Sequence, residues 1–348
     1  MSIEWKVAAA GAVVGAMVLA GCGGSSDASS KGDTIHLVGF SILEQANKQV
    51  IADWTRTSDG KGVHFTTSYG ASGDQSRAVE GGLKADVVHF SLEPDVQRLV
   101  DAKLVAPDWD KTPSKGILTR SVVVLVVRKG NPKHIRTWDD LVRPGVKIIT
   151  PNPASSGSAK WNVLAAYGHV IANGGTPVQA RAYLTKFFGN VAALPGSGRD
   201  ATTAFESGNG DVLLSYENEA ILARQSGADF DYVVPAQDLL IQNPGAVTTD
   251  AGPKAKKFLA FLTGRKAQTD YAEEGFRPLD SGIKVKVKGA NDPSNPYPVP
   301  AKLMTIDQDF GGWDRADARF FDDTSGIVTE IQAETITRRT VARREMLT

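Results

Sequence analysis

Residues 121–127, Ser-Val-Val-Val-Leu-Val-Val, are the most apolar run beyond the amino-terminal segment. Seven residues rich in Val and without polar alternation predict a strand buried on both faces. Gly130-Asn131-Pro132 ends it. On either side, short apolar runs alternate with stretches of helical period. Strands are predicted at 34–40, 63–68, 86–90, 146–150, 191–194, 212–216, 232–235 and 246–249. Helices are predicted at 44–54, 74–81, 94–102, 158–172, 181–188, 202–207, 217–225, 255–263 and 265–274. This βαβα alternation implies an α/β fold, an open parallel sheet flanked by helices. Two segments, 122–128 and 239–247, read as chain crossings between two α/β lobes. Residues 34–121 with 246–310 make one lobe and 122–245 the other. A ligand cleft then lies between the lobes, lined by strand-to-helix loops, since ligands sit beyond the carboxyl ends of strands. Residues 311–348 are charged and Thr-rich and are expected to form a C-terminal helix followed by a loose tail.

The amino terminus sets the compartment. Lys6 precedes a charge-free run at 7–20 whose 14 residues fall short of the about 20 a membrane-spanning helix needs. The length suits the apolar region of a secretory signal. Leu19-Ala20-Gly21-Cys22 resembles a bacterial lipobox. That resemblance implies cleavage after residue 21, a lipid on the Cys22 sulfur and attachment to the outer face of the cell membrane. Cys22 is the one cysteine of the chain, and lipidation accounts for it. Residues 22–33, Gly/Ser-rich and without apolar pattern, are expected to be a flexible tether.

Composition narrows the function further. Roughly 315 residues follow the tether, more than one typical core. Lys plus Arg and Asp plus Glu number 39 each, so no basic excess points to nucleic acid. A hydrolase is disfavoured. The five histidines, His36, His64, His89, His134 and His169, sit in no recognisable nucleophile setting. Pro195-Gly196-Ser197-Gly198 misses the nucleophile-elbow pattern. No two histidines lie four apart and no GxxxxGK[ST] loop is present, so no metal, cofactor or enzymatic activity is expected. A signalling or adhesion lipoprotein stays open at this point. The chain is expected to act as a monomer.

Three loops share one design. Tyr69-Gly70-Ala71-Ser72-Gly73, Asn152-Pro153-Ala154-Ser155-Ser156-Gly157-Ser158 and Pro195-Gly196-Ser197-Gly198-Arg199 each follow a strand and open a helix. A helix start leaves about four N–H groups unpaired and carries roughly half a positive charge. Gly and Ser let an anion approach that backbone, and Ser adds a hydroxyl donor. Each loop alone reads equally as an N-cap.

Several motifs together carry a more specific resemblance. Residues 152–162, NPASSGSAKWN, resemble the NPKSSGxARWN signature of bacterial sulfate-binding proteins. Residues 69–76 resemble their HGGSGxQ loop, 128–133 their RKGNPK, and 216–220 their WENEA. Met304-Thr305-Ile306-Asp307 with Phe310-Gly311-Gly312-Trp313 resembles their FTIDxxFGGW. The resemblance runs in order from Ile35 to Trp313. It implies a type II periplasmic binding fold that holds one dehydrated sulfate through neutral donors and delivers it to the membrane permease of an ABC importer. Carried over, Ser72 and Ser156 stand at donor positions, Ser156 through its hydroxyl. Gly157, Ser158 and Gly198 match backbone donors, and Ser41 falls where the family uses a backbone N–H.

Two departures touch selectivity. The family's ligating Trp is Tyr216 here, a phenol that both donates and accepts. Ser158 replaces a Gly. Thiosulfate, molybdate or another oxyanion therefore stays in play beside sulfate. Sulfate at neutral pH carries no proton, so a site of donors alone suits it, whereas phosphate wants an acceptor. Asp74 is expected on the outer face of its helix, and Arg199 on nearby carboxylate or backbone. Glu217 and Glu219 are expected to cap or pair with basic residues. Trp54, Trp138, Trp161 and Trp313 are read mainly as core.

Overall fold

The computed structural model describes residues 33–345, with side chains as far as 337. The expected signal segment, Cys22 and the expected tether up to Gly32 lie outside the described residues. Among those described, no helix is long and apolar enough to cross a membrane.

The elements run β1 (Thr34–Phe40), α1 (Leu43–Arg56), β2 (His64–Gly70), α2 (Ser72–Glu80), β3 (Val87–His89), α3 (Glu93–Asp101) and β4 (Ile117–Arg128). There follow β5 (Ile148–Ile149), α4 (Gly157–Ala172), α5 (Pro177–Asn190), β6 (Val191–Ala193), α6 (Gly198–Glu206), β7 (Val212–Tyr216), α7 (Glu217–Gln225), β8 (Phe230–Val233) and β9 (Gln237–Val247). The chain closes with α8 (Pro253–Leu262), α9 (Arg265–Glu273), β10 (Lys302–Met304), α10 (Trp313–Phe321) and α11 (Ile327–Glu345).

The strands form a mixed sheet in the order β2-β1-β3-β9-β4-β7-β5-β6, with β10 beside β9 and β8 beside β4. Parallel pairs β1–β2 and β1–β3 occupy one end, and β5–β6 and β5–β7 the other. The segments expected as crossings fall in β4 and β9, which pair antiparallel. The apolar run in β4 is buried on both faces. Val123, Leu125 and Val127 join one core cluster while Val122, Val124 and Val126 join another, the period-2 alternation of a strand.

Several bounds shift by a few residues, β10 was not predicted, and two differences from the sequence reading have a clear physical cause. β9 begins nine residues before the predicted 246, because Asn243 and Pro244 stay in the sheet. Pro244 lies opposite the register shift between Ile117 and Thr119, where a missing N–H is tolerated. The expected loose tail is instead helical through Glu345 in α11. Val328 and Ile331 are buried there, and Arg181 of α5 binds Glu330 at 2.9 Å and Glu334 at 3.0 Å.

Candidate functional site

The three Gly/Ser loops come together at one cavity. Its wall is built from Phe40, Ser41 and Ile42 after β1, Gly70, Ala71 and Ser72 after β2, Ser91 after β3, Ser156, Gly157 and Ser158 at the start of α4, and Gly198 at the start of α6. About 10 Å³ is open to the centre of a water molecule. No charged side chain appears in that wall.

The loops are stitched to one another. The Gly73 amide donates to the Ser155 carbonyl at 3.1 Å. Ser155 Oγ donates to the Gly196 carbonyl at 2.8 Å, and the Asn152 amide to the Pro195 carbonyl at 2.8 Å. Helix geometry then decides which groups face the cavity. Ala71, Ser156 and Ser197 are the N-caps of α2, α4 and α6. Ser72, Gly157, Ser158 and Gly198 therefore lie in first turns, whose amides have no intrahelical acceptor. Close packing demands glycine at two of these places. A β-carbon on Gly157 would lie 2.6 Å from Ser91 Oγ, and one on Gly198 would lie 2.9 Å from Ile42 Cδ1 and 3.0 Å from Ser158 Oγ.

Six of the seven expected site residues, Ser41, Ser72, Ser156, Gly157, Ser158 and Gly198, line this cavity. Three expectations change in detail. The Ser41 amide already donates to the Gly70 carbonyl at 2.8 Å, extending the β1–β2 ladder. The Ser72 hydroxyl donates to Asp95 Oδ2 at 2.6 Å and accepts from the Ser91 amide at 2.9 Å. Its single proton is committed, which leaves the Ser72 amide as the donor. Tyr216 is not in the wall. It is fully buried, and its phenol meets Ser91 Oγ at 2.6 Å, so it touches the cavity through Ser91. Ser91 itself was missed by sequence reasoning. The signal was its place directly beyond the strand predicted at 86–90, the counterpart of Ser41 after β1.

Charge sits one layer back. Asp95 is buried behind Ser72, and burial holds its carboxyl above the ordinary range against the opposing pull of Ser72, Lys160, Arg98 and Arg77. Arg199 Nη2 lies 3.0 Å from Glu219 Oε2, off the direction of a hydrogen bond. Burial raises the Glu219 carboxyl, with Arg199 opposing. Asp74 lies on the exposed face of α2 and pairs with Arg77 at 2.5 Å. Glu217 is buried against Arg277, Nε to Oε2 at 2.7 Å and Nη2 to Oε1 at 3.0 Å. Trp161 packs edge-on against Trp313 with ring centres 4.8 Å apart, and its indole N–H donates to the Ser91 carbonyl at 3.0 Å. No group of metal-ligating side chains is found among the described residues.

A cavity walled by amides and hydroxyls can desolvate and hold a small anion. Comparison with known proteins agrees with that chemistry. The family model described as "Bacterial extracellular solute-binding protein" matches residues 36–277. A sulfate-binding protein of Synechococcus elongatus is 40% identical over 323 residues, 88% of this chain and 90% of that protein. A thiosulfate-binding protein of Pseudomonas aeruginosa is 33% identical over 269 residues, 74% of this chain and 79% of that protein. Among solved structures, the sulfate-binding protein SubI from Mycobacterium tuberculosis H37Rv superposes with a TM-score of 0.78 at 45% identity, covering 83% of this chain and 100% of that one. The α/β architecture expected of a type II periplasmic binding protein is the observed one. The chain belongs to the family of bacterial extracellular solute-binding proteins.

Proposed function

We propose that this chain captures sulfate outside the cytoplasm and delivers it to the membrane permease of an ABC importer. The observation that carries the reading is the wall of the cavity: first-turn amides and serine hydroxyls, with no carboxylate or cation. A fully ionised tetrahedral anion presents only acceptors, so a donor wall suits every oxygen. A protonated phosphate would bring a donor that meets no carboxylate, and a serine hydroxyl turned to accept it would give up its own donor role, at a cost of about 1–3 kcal/mol. The limited space favours a dehydrated ion over a hydrated one. The name of the 40% identical relative supports the same ligand.

In this reading residues 34–121 with 246–310 form one lobe and 122–245 the other, with β4 and β9 as the crossings. The anion draws the two together because it touches loops of both, and only such a difference in contact can shift the equilibrium. The Gly73–Ser155 bond breaks on opening. Cys22 carries the lipid that holds the monomer at the outer face of the membrane, with residues 22–33 as tether.

A thiosulfate-preferring site is the second reading, motivated by Tyr216 at the family's Trp position and by the 33% identical relative. Calorimetry of the full chain in detergent, stripped of anion, separates the two. Tight one-to-one sulfate binding with phosphate rejected is the expected result. Heat from thiosulfate or molybdate but none from sulfate would move the assignment to that anion. Absence of binding by all of them would end it.

A further inference from the structure

Ser91 is 1% exposed, and its main chain is held from three directions. Its amide donates to Ser72 Oγ at 2.9 Å, and its carbonyl accepts from Trp161 Nε1 at 3.0 Å and Asn243 Nδ2 at 3.1 Å. Its hydroxyl borders the cavity and lies 2.6 Å from the Tyr216 phenol. Two hydroxyls in contact can donate in either direction, and the neighbours decide which. Asn243 Oδ1 accepts from Thr119 Oγ1 at 3.1 Å, so the amide nitrogen of Asn243 faces the other way, toward the Ser91 carbonyl. Tyr216 is fully buried, so its proton needs an acceptor inside the fold, and Ser91 Oγ at 2.6 Å is the acceptor within reach. The Tyr216 proton therefore goes to Ser91 Oγ, and the Ser91 proton is left for the cavity. Bonds in such a chain polarise one another in the same sense.

We propose that Ser91 is the direct hydroxyl donor to the bound anion and that Tyr216 is a positioning residue that keeps the Ser91 hydroxyl turned outward as a donor. This rests on the anion-binding reading above and supplies the group that stands in for the family's indole N–H. It also assigns Tyr216 a part in selectivity. With the phenol in place, one Ser91 lone pair is taken and its proton is turned toward the ligand. Without it, the Ser91 hydroxyl can rotate and accept from a protonated oxyanion.

The test is a double-mutant cycle, Ser91→Ala and Tyr216→Phe, on the full chain in detergent, with sulfate and phosphate titrated by calorimetry. A hydrogen bond to a charged group predicts that S91A weakens sulfate binding by about tenfold or more. Y216F should cost less, lower the sulfate-to-phosphate affinity ratio at least about threefold, and add little to S91A in the double variant. An S91A affinity within about twofold of wild type would overturn the proposal, as would a Y216F loss that exceeds that of S91A and adds to it in full. If S91A does not fold, Y216F decides alone: an unchanged sulfate-to-phosphate ratio overturns it. A wild-type chain that binds no sulfate brings down the anion reading and this inference with it. Wild-type binding with an unmoved S91A overturns this inference alone.

Discussion

Gly157 and Ser91 touch so closely that a β-carbon on Gly157 would lie 2.6 Å from both Cβ and Oγ of Ser91, and 2.9 Å from Leu92 Cγ. The contact joins the start of α4 to the loop after β3 across the cavity. Gly157→Ala must push one wall outward, because Ser91 is held by three backbone bonds. Overpacking of this kind costs about 1–3 kcal/mol of stability, and displaced first-turn amides should lower anion affinity by at least about tenfold. Gly196→Ala is the control. Its new carbon meets nothing nearer than Asp200 Oδ2 at 3.7 Å, and it should leave both urea unfolding and calorimetry nearly unchanged. Equal behaviour of the two variants would refute the close-packing account.

Glu217 and Arg277 make a second relationship on which the fold depends. The carboxylate is fully buried and the guanidinium nearly so, and Arg277 also donates to the Pro298 carbonyl at 2.8 Å. Burial pushes the Glu217 carboxyl up, and Arg277 is what opposes it. Removing Arg277 strands a buried acid. Arg277→Ala is expected to cost about 3–5 kcal/mol, whereas the paired change Glu217→Leu with Arg277→Met should recover most of it. Denaturant midpoints of the wild type and both variants decide this. A single variant no worse than the pair would show that the ion pair contributes nothing.

Asp238 ties folding to pH. It is buried in β9, and its Oδ1 accepts the Leu239 amide at 2.7 Å and the Val123 amide at 3.2 Å. Burial holds its carboxyl well above the ordinary range, against those two amides and Arg277, with Glu217 adding to the rise. The unfolded chain releases this proton near pH 3.9, while the folded chain keeps it to higher pH. The folded state thus binds more protons in between. The contribution of Asp238 to stability is complete below about pH 3.9 and is lost as pH rises toward the folded value, at no more than about 1.4 kcal/mol per pH unit. Asp238→Asn removes that titration. The wild type should lose stability relative to D238N between pH 4.5 and 7 in urea unfolding, and parallel curves would reject the assignment.

The sequence was most legible where turn residues bound an apolar run. β1, β7 and α7 have the predicted bounds, and the Val-rich run of β4 gave itself away by its lack of alternation. β9 was shortened in prediction because Asn243-Pro244 reads as a breaker, and only the register shift in its partner strand makes it tolerable. A C-terminal helix was expected, but α11 runs further than its Thr-rich sequence, of modest helical preference, suggests. Burial of Val328 and Ile331 and the Arg181 ion pairs hold it. At the site, the Gly/Ser loops named most of the wall, since chain direction alone puts loop donors at strand ends. Which atom of each residue faces inward could not be read. That depends on partners far along the chain, such as Asp95 for Ser72 and Ser91 for Tyr216.

Ser72 and Ser156 separate the two kinds of contribution. Both line the cavity, but the Ser72 proton is held by Asp95 at 2.6 Å, while Ser156 Oγ and Ser158 Oγ bond each other at 2.9 Å, which uses one proton and leaves the other for a ligand. Ser72→Ala keeps the first-turn amide. It strips the buried Asp95 of a donor and the Ser91 amide of its acceptor, each worth about 1–3 kcal/mol when left unmet. Ser156→Ala keeps the backbone and deletes a donor, worth roughly tenfold or more in affinity for a charged ligand. S72A should therefore fall mainly in stability, with sulfate affinity within about tenfold of wild type, and S156A mainly in affinity. Paired calorimetry and urea unfolding read both quantities. If S72A lost more affinity than S156A at unchanged stability, the Ser72 hydroxyl would be a ligand donor after all and the Asp95 contact would have to yield on binding.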